Sequence, residues 1–430
     1  MLELNAFPWS LPLKVHSSNR YLQDSNGAPF FYLGDTAWEL FHRLNREEAE
    51  LFLTVRAQQK FTVIQAVVLA EHQYDLPNSY GSLPLVDNDP TRPVEAYFEH
   101  VDWIVRCAAK LGMFIGMLPT WGDKWNRKWG GGPEIFTPEN ASVFGRYLGQ
   151  RYINDPIIWI LGGDRSVEND EHYAIIRAMA QGLREGDNGA HLRTFHPMGQ
   201  EASSTYFHND DWLDFNMVQT GHSRNRESWR FIDKDYHLEP TKPCMDAEPC
   251  YEDHPADFDA KNGYLDEYDT RKAAYWDLFA GALGHTYGCH DIWQFYSPRF
   301  EAINAPRTLW NEAVHLPGAE QMQHARMLIE SRPFFERIPD QSLIVGNTGA
   351  GAEHLQACRA KDGSYALLYF PTGHPALIDL NKLRGSDIQG TWFDPRTGEQ
   401  QVIAKFQKSV QNFTPPSHGP GCDWVLILDA

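Results

Sequence analysis

From residue 30 onward, short apolar runs alternate with longer segments whose apolar positions recur every three or four residues. These are the signatures of strand and helix in turn. Residues 30–34 read as a first strand ending at Asp35, and Asn45 is placed to cap a helix over 46–59 with Glu47 and Glu48 in its first turn. Residues 61–69 are almost continuously apolar, the pattern of a strand buried on both faces. A helix over 94–110 and a strand over 113–119 follow. Thr137-Pro138 then opens a helix that runs to about Tyr152, with a capping residue and Pro at its first position. The next strand, 157–161, ends in Gly162-Gly163-Asp164 and precedes a helix over 171–185. Short strands over 193–196 and 215–219, a helix over 226–236, a strand over 243–247 ending at Glu248, and a helix over 266–283 continue the alternation. A strand over 288–293 and a helix over 318–330 complete it. Eight strand–helix units predict a (β/α)8 barrel, with the fifth and sixth strands counted partly because closure needs them.

After about residue 335 the period shortens. Seven strand-like runs (342–345, 353–358, 365–370, 376–379, 390–393, 401–406 and 424–428) are separated by turn signals such as Lys361-Asp362-Gly363 and Arg396-Thr397-Gly398. The pattern predicts a barrel domain over 1–334 and a small antiparallel β-sandwich over 335–430. No repeat or low-complexity linker separates the two, so they are expected to pack together.

The 430 residues carry a net charge of −19, which argues against nucleic acid or an anionic membrane as partner. The longest apolar run, 63–70, is strand-sized and too short to span a bilayer. Residues 1–10 lack a basic segment followed by an apolar stretch, which predicts a cytoplasmic location. Six scattered cysteines with no CxxC or zinc spacing read as reduced thiols, in keeping with that location. Oligomeric state stays open. The 14 Trp, 18 Tyr and 24 Phe suit either core filling or stacking against the C–H faces of sugars.

In a barrel of this type, functional groups sit just beyond the C-terminal ends of the strands. Nearly every predicted strand here ends in carboxylates, histidines or tryptophans. Two carboxylates across such a rim are the minimum apparatus for glycoside hydrolysis, one protonated and one ionised. Asp164 follows two glycines that let backbone and ligand approach, and Glu248 precedes Pro249, which keeps it extended. Ion pairs of Asp164 with Arg165, or of Glu248 with Arg165 or Lys242, are the structural alternatives. Asp35, His72, His196 and Gln219 are expected to hydrogen-bond sugar hydroxyls, with Tyr251 also at the substrate. Trp38, Trp121, Trp125 and Trp293 are candidates for stacking walls. Asp35 serves equally well as the cap of a short turn. The chemistry calls for no cofactor and no metal. There is no H-E-x-x-H and no G-x-S-x-G, and the Gly130–Gly132 run lacks the Lys-Ser/Thr of a P-loop and reads as a flexible loop.

Several of these motifs together resemble the apiosidase-like glycoside hydrolases (family 140). They are Gly34-Asp35-Thr36-Ala37-Trp38, Leu118-Pro119-Thr120-Trp121-Gly122-Asp123-Lys124-Trp125, Trp159-Ile160-Leu161-Gly162-Gly163-Asp164-Arg165, Asp214-Phe215-Asn216-Met217 with Gln219 and His222, Asp246-Ala247-Glu248-Pro249 with Tyr251-Glu252, and Gly284-His285-Thr286-Tyr287-Gly288. The tail, through Trp392-Phe393-Asp394-Pro395-Arg396-Thr397-Gly398 and Asp423-Trp424-Val425-Leu426, resembles the collagen-binding-type β domain that follows such barrels, without any collagen-specific feature. The resemblance implies a retaining mechanism with Asp164 as acid/base and Glu248 as nucleophile, acting on an oligosaccharide. In the family, the characterised reaction is release of apiose from a pectic side chain. Where related barrel hydrolases carry Asn-Glu after the fourth strand, this chain has Gly163-Asp164, so its shorter acid must sit closer to the glycosidic oxygen. The loops 71–93 and 121–137 set the sugar. An endo-acting β-glucanase or mannanase, and a carbohydrate-binding protein without turnover, are the rival readings.

Overall fold

A computed structural model describes residues 7–224 and 226–430. Eight parallel strands form the barrel wall: β1 (Tyr32–Thr36), β2 (Val63–Leu69), β3 (Phe114–Thr120), β4 (Ile157–Gly162), β5 (Arg193–His196), β6 (Asn216–Gln219), β7 (Cys244–Asp246) and β8 (Gly284–Tyr287). A continuous ladder runs β8-β1-β2-β3-β4-β5, and β6 pairs with β7. A few hydrogen bonds close the two remaining seams, and on the β5–β6 side the Asp214 amide also donates to the Arg193 carbonyl at 2.8 Å. The Thr194 hydroxyl donates to the Phe215 carbonyl at 2.7 Å across β5 and β6. The Leu283 amide donates to the Cys244 carbonyl at 2.9 Å across β7 and β8. At its upper end β6 instead pairs antiparallel with Glu201–Ala202.

The wall strands β2, β3 and β4 are buried along their whole lengths, as their uninterrupted apolar runs require. Around them lie α1 (Arg46–Gln58), α2 (Glu95–Lys110), α3 (Pro138–Arg151), α4 (Asp170–Gly186), α5 (Trp229–Tyr236), α6 (Glu267–Phe279) and α7 (Pro317–Glu330). Asn45 and Glu48 form a reciprocal capping box at α1, and Thr137 and Asn140 do the same at α3. No helix among the described residues is long and apolar enough to cross a membrane. All six cysteines are free thiols.

Two of the barrel strands lie elsewhere than the sequence predicts. The eighth is Gly284–Tyr287, not 288–293; His290–Trp293 is a single helical turn instead. Its Ile-Trp pair reads as strand in sequence, but the ladder to β1 ends at Tyr287 opposite Asp35. The first strand runs on through Thr36, which places Asp35 inside the strand rather than after it. Side chains alternate across a strand. Tyr32, Gly34 and Thr36 therefore face the barrel interior, and Asp35 faces the helices. There the fully buried Arg56 of α1 donates from Nε to Asp35 Oδ2 at 2.5 Å.

The C-terminal segment is a two-sheet antiparallel sandwich. One sheet has six strands in the order Arg337–Pro339, Gln356–Ala360, Tyr365–Phe370, Trp424–Asp429, Asp387–Phe393 and Gln400–Gln407. The other pairs Ile344–Val345, Ala376–Asp379 and Val410–Phe413. One face of the large sheet joins the barrel core through Leu367, Tyr369, Val425 and Ile427. Helix α6 lies between sheet and barrel, and every residue of it from Asp269 to Phe279 is buried. Tyr275 stacks on Tyr369 with centroids 5.1 Å apart, and Trp276 Nε1 donates to the His354 carbonyl at 2.8 Å. Arg271 holds Asp423 through Nε and Nη2 at 3.1 and 2.8 Å.

Removing one member of a buried ion pair strands its partner, at a loss of about 3–5 kcal/mol. Arg56→Leu and Asp35→Leu are each expected to destabilise the protein by that amount in urea denaturation, and the double variant to recover part of it.

Candidate active site

A cavity of 680 Å³ opens at the C-terminal ends of the barrel strands. Loops after all eight strands contribute to it, from Trp38 after β1 and Glu71 after β2 to Trp293 after β8. Asp164 and Glu248 both line it.

The approach to Asp164 depends on backbone that only glycine tolerates well. Gly162, Gly163 and Asp164 adopt φ of +95°, +106° and +51° in succession. A side chain on Gly162 would run into the His196 carbonyl, and one on Gly163 would lie 2.9 Å from the Gly122 amide nitrogen. Asp164 itself, with a Cβ, sits in the left-handed region, a conformation that concentrates at functional sites. Its carboxyl is held well above the ordinary aspartate range by burial and by the nearby charge of Glu248, with Arg165 opposing.

Glu248 has the opposite environment. His196 Nε2 lies 3.0 Å from Oε2, and His222 Nε2 lies 3.2 Å from Oε1, so each carboxylate oxygen has its own imidazole. Burial alone would raise this carboxyl, but the two histidines outweigh burial and hold it below the ordinary glutamate range. The backbone is fixed from behind, where Asp246 Oδ1 accepts the Glu248 amide at 3.1 Å and Asp246 Oδ2 accepts the Thr220 hydroxyl at 2.5 Å. Two carboxyls in one cavity are thus driven apart, one toward the neutral acid and the other toward the anion.

Four expected residues wall the cavity together with Gln219 and His72: Trp38, Trp121, Tyr251 and Trp293. Trp38 packs on Trp121 at 5.1 Å, and its Nε1 donates to the Tyr251 hydroxyl at 3.1 Å. Trp293 Nε1 donates to His290 Nδ1 at 3.2 Å, and its ring lies 5.6 Å from His72.

Three expected residues lie elsewhere. Asp35 points outward into its pair with Arg56 and does not line the cavity, so it is no ligand for a sugar. Trp125 is turned into the layer between β3 and α4, beside Phe136, Ile176 and Met179, because the turn at Gly122–Lys124 reverses the chain. His196 is fully buried beneath Trp38 and Trp121 and faces Glu248 rather than the open cavity.

Glu71, Arg165 and His222 belong to the site although the sequence marked them only as rim residues. Arg165 is fully buried, donates from Nη2 to Glu71 Oε1 at 2.8 Å, and reaches Asp164 Oδ2 at 3.4 Å. Glu71 in turn contacts His72 at 3.2 Å. Burial would raise Glu71, but His72 and Arg165 hold it low. The Arg165 pairing with Asp164 thus coexists with the placement of Asp164 on the cavity wall. Among the described residues no group of three or more His, Cys, Asp or Glu is placed to hold a metal ion. His285 contacts Asp277 at 3.3 Å, and His290 contacts the Asn304 carbonyl at 2.9 Å.

A barrel with paired carboxyls of opposite character in a sugar-sized, aromatic-walled cavity is the architecture of a glycoside hydrolase. The comparisons agree. Residues 16–336 match the family model "Apiosidase-like, catalytic domain", and residues 338–429 match "Putative collagen-binding domain of a collagenase". The chain therefore belongs to the apiosidase-like glycoside hydrolase family. A crystal structure of a glycoside hydrolase family 5 protein from Bacteroides vulgatus is 35% identical over 97% of this chain and 93% of its own, with a TM-score of 0.89. A second structure, named only as a glycoside hydrolase, is 35% identical over 98% of this chain and 97% of its own, with a TM-score of 0.90. GH5_18 from Streptomyces cattleya, in complex with GlcNAc, shares the fold alone, at 12% identity over 71% of this chain and 81% of its own and a TM-score of 0.52. None of the curated proteins matches the chain.

Because folding raises the Asp164 pKa, ionising this group opposes the folded state. Its penalty is absent while the carboxyl is protonated in both states, and grows as pH climbs from the unfolded toward the folded value. Asp164→Asn should therefore gain melting temperature relative to wild type on going from pH 4 to pH 8, by about 3 °C. Thermal melts at the two pH values read this directly.

Proposed function

We propose that the protein is a retaining, exo-acting glycosidase that releases a terminal sugar, apiose on the family resemblance, from a pectic oligosaccharide. The observation that carries this reading is the opposite character of Asp164 and Glu248 across one cavity. Glu248, ionised between its two histidines, attacks the anomeric carbon. The glycosidic C–O bond breaks as the Asp164 proton moves to the leaving oxygen. In the second step Asp164, now a carboxylate, takes a proton from water. The resulting hydroxide displaces Glu248 from the anomeric carbon, and both groups return to their starting states. Retention follows from two displacements.

Exo action is supported by the ring of loops. Every strand end contributes lining residues, which suits a pocket built around one terminal sugar. Trp38, Trp121 and Tyr251 form its deep wall, and Gln219 and His72 offer hydrogen bonds to hydroxyls. Glu71 and Arg165 keep a balanced pair of charges beside Asp164, which tempers the rise in its pKa without ionising it.

Proton NMR of an apiose-bearing pectic oligosaccharide incubated with the enzyme tests the proposal. Apiose should appear first in the anomeric configuration it had in the substrate. Glu248→Gln should release none, and Asp164→Asn should be slower by about 10²–10⁴-fold. Inversion, or release by Glu248→Gln, would reject the mechanism; an intact oligosaccharide would reject the substrate.

The pH profile of kcat/KM should be bell-shaped. Activity is lost on the acid side as Glu248 gains a proton, and on the alkaline side as Asp164 loses its own. In His222→Ala the acid limb should move to higher pH, because one of the groups holding Glu248 ionised is gone.

A further inference from the structure

Two aromatic side chains at the cavity mouth have no role in the mechanism above. Trp129, in the loop after β3, is 60% exposed, and Phe258, in the loop after β7, is 62% exposed. Both line the cavity. The loops that carry them follow the third and seventh strands, which stand opposite each other in a ring of eight.

Neither ring is loosely placed. One face of Trp129 rests on the Arg165 guanidinium, whose carbon lies 4.2 Å from the ring centroid. Arg165 is itself fixed by Glu71 at 2.8 Å, by the Asn126 carbonyl at 3.1 Å and by the Asp164 carbonyl at 2.8 Å. The loop that carries Trp129 is pinned as well. The Gly132 amide donates to the buried Asp123 Oδ2 at 2.7 Å, and Gly130 packs so tightly that a side chain there would come within 2.6 Å of Arg165 Nη2. The glycine run that reads as a flexible loop in sequence is a close-packed seat for the tryptophan.

Phe258 is held at a cost in backbone conformation. It and Asp257 take φ of +61° and +55°, a region that residues with a Cβ avoid. The Asp257 amide donates to the His222 carbonyl at 2.9 Å, and the Phe258 ring lies 4.9 Å from His254. A strained turn that sets a large apolar ring in water is unfavourable for stability alone.

We propose that Trp129 and Phe258 form a leaving-group subsite, which binds the second sugar unit of an oligosaccharide by stacking against its apolar C–H face. This rests on the assignment of Asp164 as the acid, because Arg165 ties Trp129 to the Asp164 side of the cavity, where the leaving oxygen is protonated. The deep pocket takes the terminal sugar and the aromatic mouth takes its neighbour. The preferred substrate is therefore an oligosaccharide, and a small alcohol in place of the second sugar forfeits the contact.

Hydroxyl-radical footprinting of Glu248→Gln, read by mass spectrometry, tests this without turnover. The probes are an apiose-bearing pectic oligosaccharide, cellotetraose, mannotetraose and free apiose. The expected result is that at least one oligosaccharide lowers oxidation of both Trp129 and Phe258 by about threefold or more, and free apiose does not. Protection by cellotetraose or mannotetraose without the pectic compound would uphold the subsite and remove apiose release. No protection by any oligosaccharide, or equal protection by free apiose, would overturn the subsite. In kinetics on the oligosaccharide that protects, Trp129→Ala should raise KM about tenfold and more than it lowers kcat, and Trp129→Phe should restore most of the loss.

Discussion

Two carboxyl groups facing one cavity oppose each other's charge, and the top of this barrel is organised by that constraint. The two groups meet unequal surroundings. Asp164 is offered burial and a neighbouring anion, which favour its protonated form. Glu248 is offered an imidazole on each oxygen, so it gives its proton up. Arg165 and Glu71 stand beside the acid as a neutral pair, and the Gly162-Gly163 backbone brings that acid inward without a side chain in the way. The histidines need their own support, which Trp38, Trp121 and Tyr251 supply as they wall the cavity.

Much of this was legible in the chain. The alternation of apolar runs and helix-length segments marks the barrel, and the strand ends carry the groups that define the site. What sequence position could not show was direction. Asp35 lies one residue inside a strand end rather than beyond it, and the period-two rule then turns it away from the cavity toward Arg56. Trp125 follows a tight turn whose sense is decided by tertiary packing. His196 is at the rim in sequence, yet it lies beneath two tryptophans and turns its Nε2 to Glu248. The eighth strand was misplaced because an Ile-Trp pair satisfies strand and helix patterns equally over four residues.

The residues the sequence undervalued share a different trait. Trp129 sits beside three glycines, and Phe258 in an acidic, polar loop, so neither belongs to a periodic segment. An exposed aromatic in a loop has no sequence signature apart from its own identity; only its place on the ring of strands shows what it faces. In the sandwich, Val410–Phe413 was missed for a related reason. Only Phe413 of its four residues is buried, so no alternation was there to read.

Helix α6 lies between the barrel and the sheet of the second domain, and from Asp269 to Phe279 every residue of it is buried. Its outer surface, with Tyr275 and Trp276, is covered by residues of the sandwich rather than by water. A helix buried on both its barrel side and its sandwich side is shared by the two modules. The two family models meet within a residue or two of each other, but the apolar interior runs across that line without a break. A fusion or exchange that gave this barrel a different tail would have to re-cover α6 first, so the modules that sequence comparison separates are not interchangeable parts.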